Sequence, residues 1–307
     1  MTAHSGSEAT PPRVSVVIPT LNEARNLPHV FAGMPPDVHE VIVVDGHSVD
    51  DTVAVAQRLW PDVRIVMQTR RGKGNALACG FAAATGDIIA MVDADGSADA
   101  AEIPRFVKAL VGGADFAKGS RFAKGGGSSD ITRFRRLGNR VLVTSVNKVY
   151  GTKYTDLCYG YNAFWRHVVP VIGLDPISQS GPGDGRLWGD GFEVETLVNI
   201  RVAKAGLVIR EVPSFESPRV HGVSNLNSFS DGLRVLRTIL AERRQSRRLK
   251  DRRGDDRAVA AQAALGADGG AHPDRSLIPA DSVPDHHADE AVITPAGPST
   301  DIPLARR

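Results

Sequence analysis

IIAMVDADGSADAAEIPRF, from Ile88 to Phe106, passes from an apolar stretch of strand character through Asp93-Ala94-Asp95 into small residues and a helix start. Successive strand residues point to opposite faces, but the second carboxylate lies just past the strand end, where the backbone turns. Both carboxylates can then converge on one hard cation such as Mg²⁺ or Mn²⁺, which takes oxygen ligands. A cation held there suits a diphosphate leaving group. A lone Asp-x-Asp is more often a turn or a solvated cap, so its neighbours along the chain decide how it reads.

Upstream, Val14–Ile18, Val41–Val44 and Val63–Met67 are short, β-branched and almost continuously apolar, as is Ile88–Val92 itself. Strands of that kind are buried on both faces, as in a parallel sheet covered by helices. Helical patterns over Asn22–Ala32, Asp51–Leu59 and Asn75–Ala84 alternate with them, and Gly and Pro punctuate the joins. This βαβ rhythm predicts an α/β fold with a mostly parallel central sheet flanked by helices. Ligands bind beyond the carboxyl ends of such strands. The polar motifs of the first half all fall at those ends.

The first strand runs into Pro19-Thr20-Leu21-Asn22-Glu23, where Asn22 reads as a helix cap and Glu23 as a first-turn acid. The second ends in Asp45-Gly46-His47-Ser48-Val49-Asp50-Asp51-Thr52, a capped helix start or a ligand loop. Arg70-Arg71-Gly72-Lys73-Gly74-Asn75 is a basic turn opening a helix, and its backbone amides and lysine suit phosphate. It matches neither the P-loop nor the dinucleotide fingerprint, which argues against an ordinary kinase, GTPase or dehydrogenase. Beyond residue 115 the rhythm loosens. Ala114–Gly119 reads as a strand, KGGGSSD as a flexible link, then an arginine-rich helix start, a helix over Phe192–Ala205 and a strand over Leu207–Val212.

The totals bound the class. The chain has 307 residues, 42% of them hydrophobic, a net charge of +2 and two cysteines. Cys79 and Cys158 sit in apolar settings and read as buried thiols, with no disulfide framework or zinc site. The opening MTAHSGSEATPPR has no apolar core of a signal peptide, and no run is long enough to span a bilayer. The expected location is cytoplasmic. Residues 1–13 read as a disordered leader, 14–232 as the catalytic domain, 233–253 as a basic amphipathic helix and 254–307 as a disordered tail. Basic amphipathic helices can rest on anionic membranes, so peripheral contact with the inner membrane face is expected of 233–253. Nucleic-acid binding is not, because the basic cluster lacks interleaved aromatics and the chain is near neutral.

Taken together, VSVVIPTLNE, VIVVDGHSVDDT, RRGKGNALACGFAAATGD, VDADGSADAAEIPRF and GSRF, followed by TDLCYGYNAFWR and GFEVETLVNIRVAKAGLVIREVPSFESPR, resemble the family-two inverting glycosyltransferases of GT-A fold. Within that family the chain is most similar to the polyprenyl- or dolichyl-phosphate mannose or glucose synthases. The resemblance implies a Rossmann-like nucleotide-binding half and an acceptor half. It implies a nucleotide-sugar donor, GDP- or UDP-linked, lined by Pro19, Thr20 and Glu23, with Asp45 near the base and Lys73 beside the donor. Asp93 and Asp95 would hold Mg²⁺ or Mn²⁺ on the diphosphate, Asp95 acting in catalysis. Arg219 and Ser224 fall where the family closes a loop over the donor, and Arg121 and Arg135 would bind a lipid-phosphate acceptor.

Three positions depart from the family pattern. Gly46 stands where relatives often carry a second carboxylate, Gly96-Ser97 where a glutamine is frequent, and Asn225 where many have lysine. The acceptor divides the readings. A hydroxyl needs a general base, for which Asp156, Asp190, Glu193 and Glu195 are candidates, Glu195 falling near the base position of hydroxyl-transferring relatives. A phosphate monoester needs none, but needs cations, which Arg121, Arg133, Arg135 and Arg136 offer. The expectation is transfer of a hexose to polyprenyl phosphate, with a hydroxyl acceptor as the alternative. A non-catalytic nucleotide-sugar-binding protein is the rival from another class, opposed by the intact Asp93/Asp95 pair.

Overall fold

A computed structural model describes residues 10–176, 187–222 and 234–244. The first half alternates β1 (Val14–Thr20), α1 (Leu27–Ala32), β2 (Glu40–Asp45), α2 (Thr52–Leu59), β3 (Arg64–Met67), α3 (Lys73–Ala83) and β4 (Ile88–Met91). Then come α4 (Ile103–Val111), β5 (Phe116–Ser120), β6 (Gly127–Ser128), α5 (Arg133–Tyr150), β7 (Asn162–Trp165) and α6 (Val169–Ile172). The last labelled elements are α7 (Val194–Lys204), β8 (Ile209–Pro213) and β9 (Phe215–Glu216). Residues 234–244 are helical. The expected leader and tail, apart from residues 10–13, lie outside the described residues, as do Ser224, Asn225 and the arginine-rich 245–253.

Seven strands form one sheet in the order β3-β2-β1-β4-β7-β5-β8. All pairs are parallel except the two made by β7, which runs antiparallel to both β4 and β5. The double-sided burial read from the sequence is borne out for β1, β2 and β4 by two separate cores, but not for β3, an edge strand exposed at Arg64 and Met67 and only partly buried between. Val16, Ile18, Val41 and Val43 pack on one face with Leu27, Val30, Val55, Phe106 and Leu110. Val17, Ile42 and Val44 pack on the other with Leu77, Phe81, Val194, Val198 and Val202. A third cluster joins Val143 and Val146 of α5 to Leu157, Ile200, Val235 and Ile239.

Three expectations need correction. No helix begins at Asn22: α1 starts at Leu27, with Asn26 at its cap position and a proline in its first turn. Asn22 adopts φ +57, a region that asparagine tolerates better than most residues. There its Oδ1 accepts the Val49 N–H at 2.8 Å and its own N–H donates to Ser48 Oγ at 2.9 Å. The link read as flexible contains β6, which pairs in parallel with β9. And β7, which no apolar run announced, is a central strand. Its Ala163 and Phe164 enter opposite cores, and the Trp165 indole donates to Ala114 O at 3.0 Å. Both cysteines are free, Cys79 buried and Cys158 half-buried; burial pushes the Cys158 thiol up to about 12.

The amino ends of the strands are tied by one carboxylate. Glu40 Oε1 accepts from Ser15 Oγ, Thr85 N and Thr85 Oγ1, each at 2.7 Å, and Oε2 accepts from Arg64 at 2.7 Å. Burial alone would raise its pKa, but these donors overcome it and hold the group at about 2, against 4.5 for an ordinary glutamate. A depressed folded-state pKa stabilises the fold above the unfolded value, and that contribution fades as pH falls from 4.5 toward about 2. Glu40→Gln should therefore cost about 1–2 kcal/mol at neutral pH. The gap from wild type in thermal melts should narrow as pH falls below 4.5; a gap unchanged from pH 7 to pH 3 would refute the assignment.

Candidate active site

Beyond the carboxyl ends of β1, β2 and β4 the polar motifs meet. Lys73, the first residue of α3, places its Nζ 2.6 Å from Asp93 Oδ1 and 2.6 Å from Glu195 Oε1. The helix start that presents it is tightly built. Gly72 has φ +128, Asn75 Oδ1 accepts the backbone N–H groups of Thr69 and Arg70, and the Gly74 N–H donates to Asp190 O at 2.8 Å. The reading of this turn as a phosphate cradle is thereby corrected in part. The Gly74 amide is already engaged, and Arg70 donates through Nε and Nη2 to Asp190 at 2.8 and 2.9 Å, both side chains buried. What the turn offers to the strand ends is Lys73, while Arg71 is exposed.

Burial works against a charge on Lys73, but Asp93 and Glu195 overcome it and hold its pKa above the usual lysine value. For Glu195 burial is the largest influence and raises the pKa, with Lys73 opposing. Gly160 completes the cluster. A Cβ there would lie 2.6 Å from Glu195 Oε1, 2.9 Å from Lys73 Nζ and 3.1 Å from Asp93 Oδ2, so a side chain at this position would push the three charged ends aside.

Asp95, two residues on, faces the segment that follows β9. Arg219 stands between Asp95 and Glu23, with Nε 3.5 Å from Asp95 Oδ2 and Nη1 3.1 Å from Glu23 Oε1. The segment is laid down by backbone bonds: Ser217 N–H to Ser97 O at 2.8 Å and Val220 N–H to Asp95 O at 3.3 Å. Asn26 fastens its end, accepting the His221 N–H at 2.9 Å and donating to His221 O at 3.1 Å. Asn26 and His221 were missed in the sequence, since neither lies in a motif. Thr20 and Asp45 are buried at the ends of their strands, and Pro19 is partly buried. Asp45 turns its carboxylate into its own loop, accepting from Ser48 N at 2.8 Å and Ser48 Oγ at 2.6 Å. Gly46, in the place of a second carboxylate, is confined: a Cβ there would sit 3.0 Å from Thr20 O and 3.2 Å from Gln68 Nε2.

Around this cluster stand four carboxylates, Asp93, Asp95, Glu195 and Glu23, and two cations, Lys73 and Arg219. Formal charge falls short by two, which one divalent cation would balance. Among the described residues no group of three or more His, Cys, Asp or Glu could hold a metal unaided. Asp93 and Asp95 remain partly open. Two hard oxygen donors with room for substrate and water oxygens fit Mg²⁺ or Mn²⁺, and they would be the residues to hold it.

The other expected residues lie in separate settings. Arg121 donates through Nε and Nη2 to Asp156 at 2.7 and 2.9 Å and through Nη1 to Glu216 at 3.0 Å, with its guanidinium 5.0 Å from the Tyr159 ring. Asp156 is fully buried; burial would raise its pKa, but Arg121 keeps it below the usual range. Engaged through both oxygens by Arg121, Asp156 positions that guanidinium rather than offering a free lone pair to an acceptor proton. Glu216, the second partner, lies 95 residues from Arg121 in the chain, and no local pattern connects them. Arg135 sits in the first turn of α5, partly exposed, 3.5 Å from Asp130. Glu193 Oε1 accepts weakly from the Gly189 and Gly191 N–H groups at 3.3 Å, and its Oε2 is buried without a hydrogen-bond partner.

Residues 15–173 match the glycosyl transferase family 2 model. A protein of Mycobacterium tuberculosis named as an uncharacterized glycosyltransferase is 44% identical over 222 residues, 70% of this chain and 89% of that protein. The polyprenol monophosphomannose synthase of Mycolicibacterium smegmatis is 31% identical over 226 residues, 70% of this chain and 81% of its own. Among solved structures, glucosyl-3-phosphoglycerate synthase from M. tuberculosis, in complex with Mn²⁺, UDP and glucosyl-3-phosphoglycerate, superposes with a TM-score of 0.57 at 25% identity. That match covers 75% of this chain and 80% of the other.

Proposed function

We propose, since this chain belongs to glycosyltransferase family 2 and has the GT-A fold, that it moves a hexose from a GDP- or UDP-linked sugar to a polyprenyl phosphate with inversion at the anomeric carbon. The observation that carries the acceptor is the state of the candidate bases. Asp156, Asp190 and Glu195 are each held by a cation, respectively Arg121, Arg70 and Lys73. Asp156, whose pKa Arg121 keeps below the usual range, is a poor proton acceptor, and the carboxylates of Asp190 and Glu195 are occupied by their cations rather than turned to an acceptor hydroxyl. A phosphate monoester, with a charge of roughly −1.5 to −2 at neutral pH, needs none. The M. smegmatis relative, named for a polyprenol acceptor, supports the same choice.

In this reading Pro19, Thr20, Glu23 and Asp45 line the nucleotide pocket, and Asp93 and Asp95 face the diphosphate. A divalent cation bound by those two carboxylates supplies Lewis acidity to the departing diphosphate. Lys73 and Arg219 are already held within reach of the same carboxylates. They need little reorganisation to stabilise charge building on the leaving group. Ser224, beyond the described residues, belongs with Arg219 in the closing segment. An acceptor phosphate oxygen forms the new bond to the anomeric carbon as the bond to the diphosphate breaks. Arg135, exposed enough to reach a ligand, and the remaining N–H groups of Arg121 hold that phosphate.

Two observations favour a second reading. The unpartnered Oε2 of Glu193 is where a base for a hydroxyl acceptor would be found, and the M. tuberculosis neighbour is bound to a small glycosylated acid rather than a lipid. Glu193→Gln decides between them. With a phosphate acceptor, Glu193→Gln should change kcat by less than about ten-fold. A loss of about 10²–10⁴ with Glu193→Gln while donor affinity stays intact would mark a general base and overturn the phosphate assignment, whereas Glu195→Gln should lower kcat with either acceptor because it releases Lys73.

A further inference from the structure

We infer that the outward face of α5 docks this protein on an anionic lipid bilayer. The helix buries Asn139, Val143 and Val146 against the body. On its opposite side Phe134, Leu137 and Val141 are 65%, 61% and 58% exposed. Their spacing puts them in one stripe along the helix. Such a stripe, directly opposite a filled core face, has no packing role within the described fold.

Charge identifies the occupant. Arg133, Arg136 and Arg140 are exposed beside the stripe, and the 18 residues of α5 include no Asp or Glu. The helical residues 234–244 pack next to α5 through Val235 and Ile239, and Tyr150 of α5 donates to Ile239 O at 2.8 Å. They also expose Leu236 and Leu240, with Arg237 and Arg243 at the surface. Their one acid, Glu242, is buried and engaged by Arg201 and Lys204 at 3.3 and 2.6 Å. Neither helix shows an acidic side chain to solvent. A bilayer with anionic headgroups takes up both features at once, the apolar stripe at the acyl boundary and the guanidiniums among phosphates. A protein partner would need a matching acidic rim around an apolar groove.

The contact expected of 233–253 is thereby extended to α5, with residues 234–244 beside it and 245–253 outside the described residues. The inference goes beyond the acceptor reading and does not depend on it. If both hold, docking also brings lipid to the start of α5. There Ser128 Oγ accepts from Asp130 N and Ile131 N and donates to Glu216, the carboxylate that holds Arg121.

The test is vesicle flotation of the full chain, without polyprenyl phosphate, so that failure of docking and failure of the acceptor reading are told apart. Vesicles are phosphatidylcholine alone or phosphatidylcholine mixed with phosphatidylglycerol. Wild type should float with the mixed vesicles and stay behind with neutral ones. A triple variant, Phe134→Ser with Leu137→Ser and Val141→Ser, should lose binding about ten-fold or more while its melting curve is unchanged, since all three side chains are exposed. Arg133→Gln with Arg136→Gln and Arg140→Gln should lose it comparably and remove its dependence on phosphatidylglycerol. Full binding by the serine variant would overturn the inference and point to another segment. Equal flotation with neutral vesicles would overturn it too, as would a wild-type dimer that the serine variant dissociates, which would show a second copy covering the face.

Discussion

Asp95→Ala is expected to lower hexose transfer by about 10³-fold or more while leaving the fold intact. The side chain is only partly buried, and its one local bond, from the Ser97 N–H, is easily replaced by water. Its removal leaves Asp93 as the sole carboxylate of the pair and frees Arg219 from one of its two anchors. Two effects should then appear together. Donor affinity should stop rising on addition of Mn²⁺, and the turnover that remains should no longer respond to metal. Calorimetric titration of the nucleotide diphosphate with and without Mn²⁺ separates these from a folding defect. A variant that keeps metal-dependent donor binding would show that the cation is held elsewhere.

Gly74→Ala is expected to be the most damaging single methyl addition near the site. Its Cβ would come 1.7 Å from Gly189 O and 2.8 Å from Gly189 C, both backbone atoms of a tight turn that no rotamer change can relieve. The 189–190 backbone must leave the start of α3, which breaks the bond from the Gly74 N–H to Asp190 O and strains the buried Arg70–Asp190 pair. Separating a buried ion pair costs about 3–5 kcal/mol, so a stability loss of that order is expected in urea denaturation. Lys73 is the adjacent residue, so transfer should fall in parallel even where the variant is still folded. A wild-type denaturation midpoint would mean that the turn and the helix are not in contact in solution.

The contrast between these two positions shows what was legible in the sequence. Asp93, Asp95 and Lys73 were legible as candidates because their chemistry is local, an acid pair at a strand end and a lysine at a helix start. The strands β1, β2 and β4 were found because burial on both faces writes itself as a nearly continuous apolar run, and β3, an edge strand only partly buried, carries a similar run. Pairings across the fold left no such trace. Lys73 meets Glu195 across 122 residues and Arg70 meets Asp190 across 120, so residue type alone marked these groups as ligands or bases, with no hint that they bind each other. Arg121 and Asp156 show the same effect: each has the chemistry of a site residue, and each is engaged by the other. β7 was missed because Asn162 leaves an apolar run of only Ala163 to Trp165, shorter than the runs that announced β3 and β4. Asn22 was misread because asparagine serves equally as a helix cap and as a left-handed turn residue, and only the position of Ser48 and Val49 decides.

The most direct test of the account is a transfer assay with labelled GDP-mannose and UDP-glucose, each offered with a short polyprenyl phosphate and Mg²⁺ or Mn²⁺. The account predicts that label from one donor enters the organic phase, that chelation abolishes this, and that Asp95→Ala abolishes it as well. Transfer that persists after chelation, or label from both donors that never leaves the aqueous phase, would contradict it.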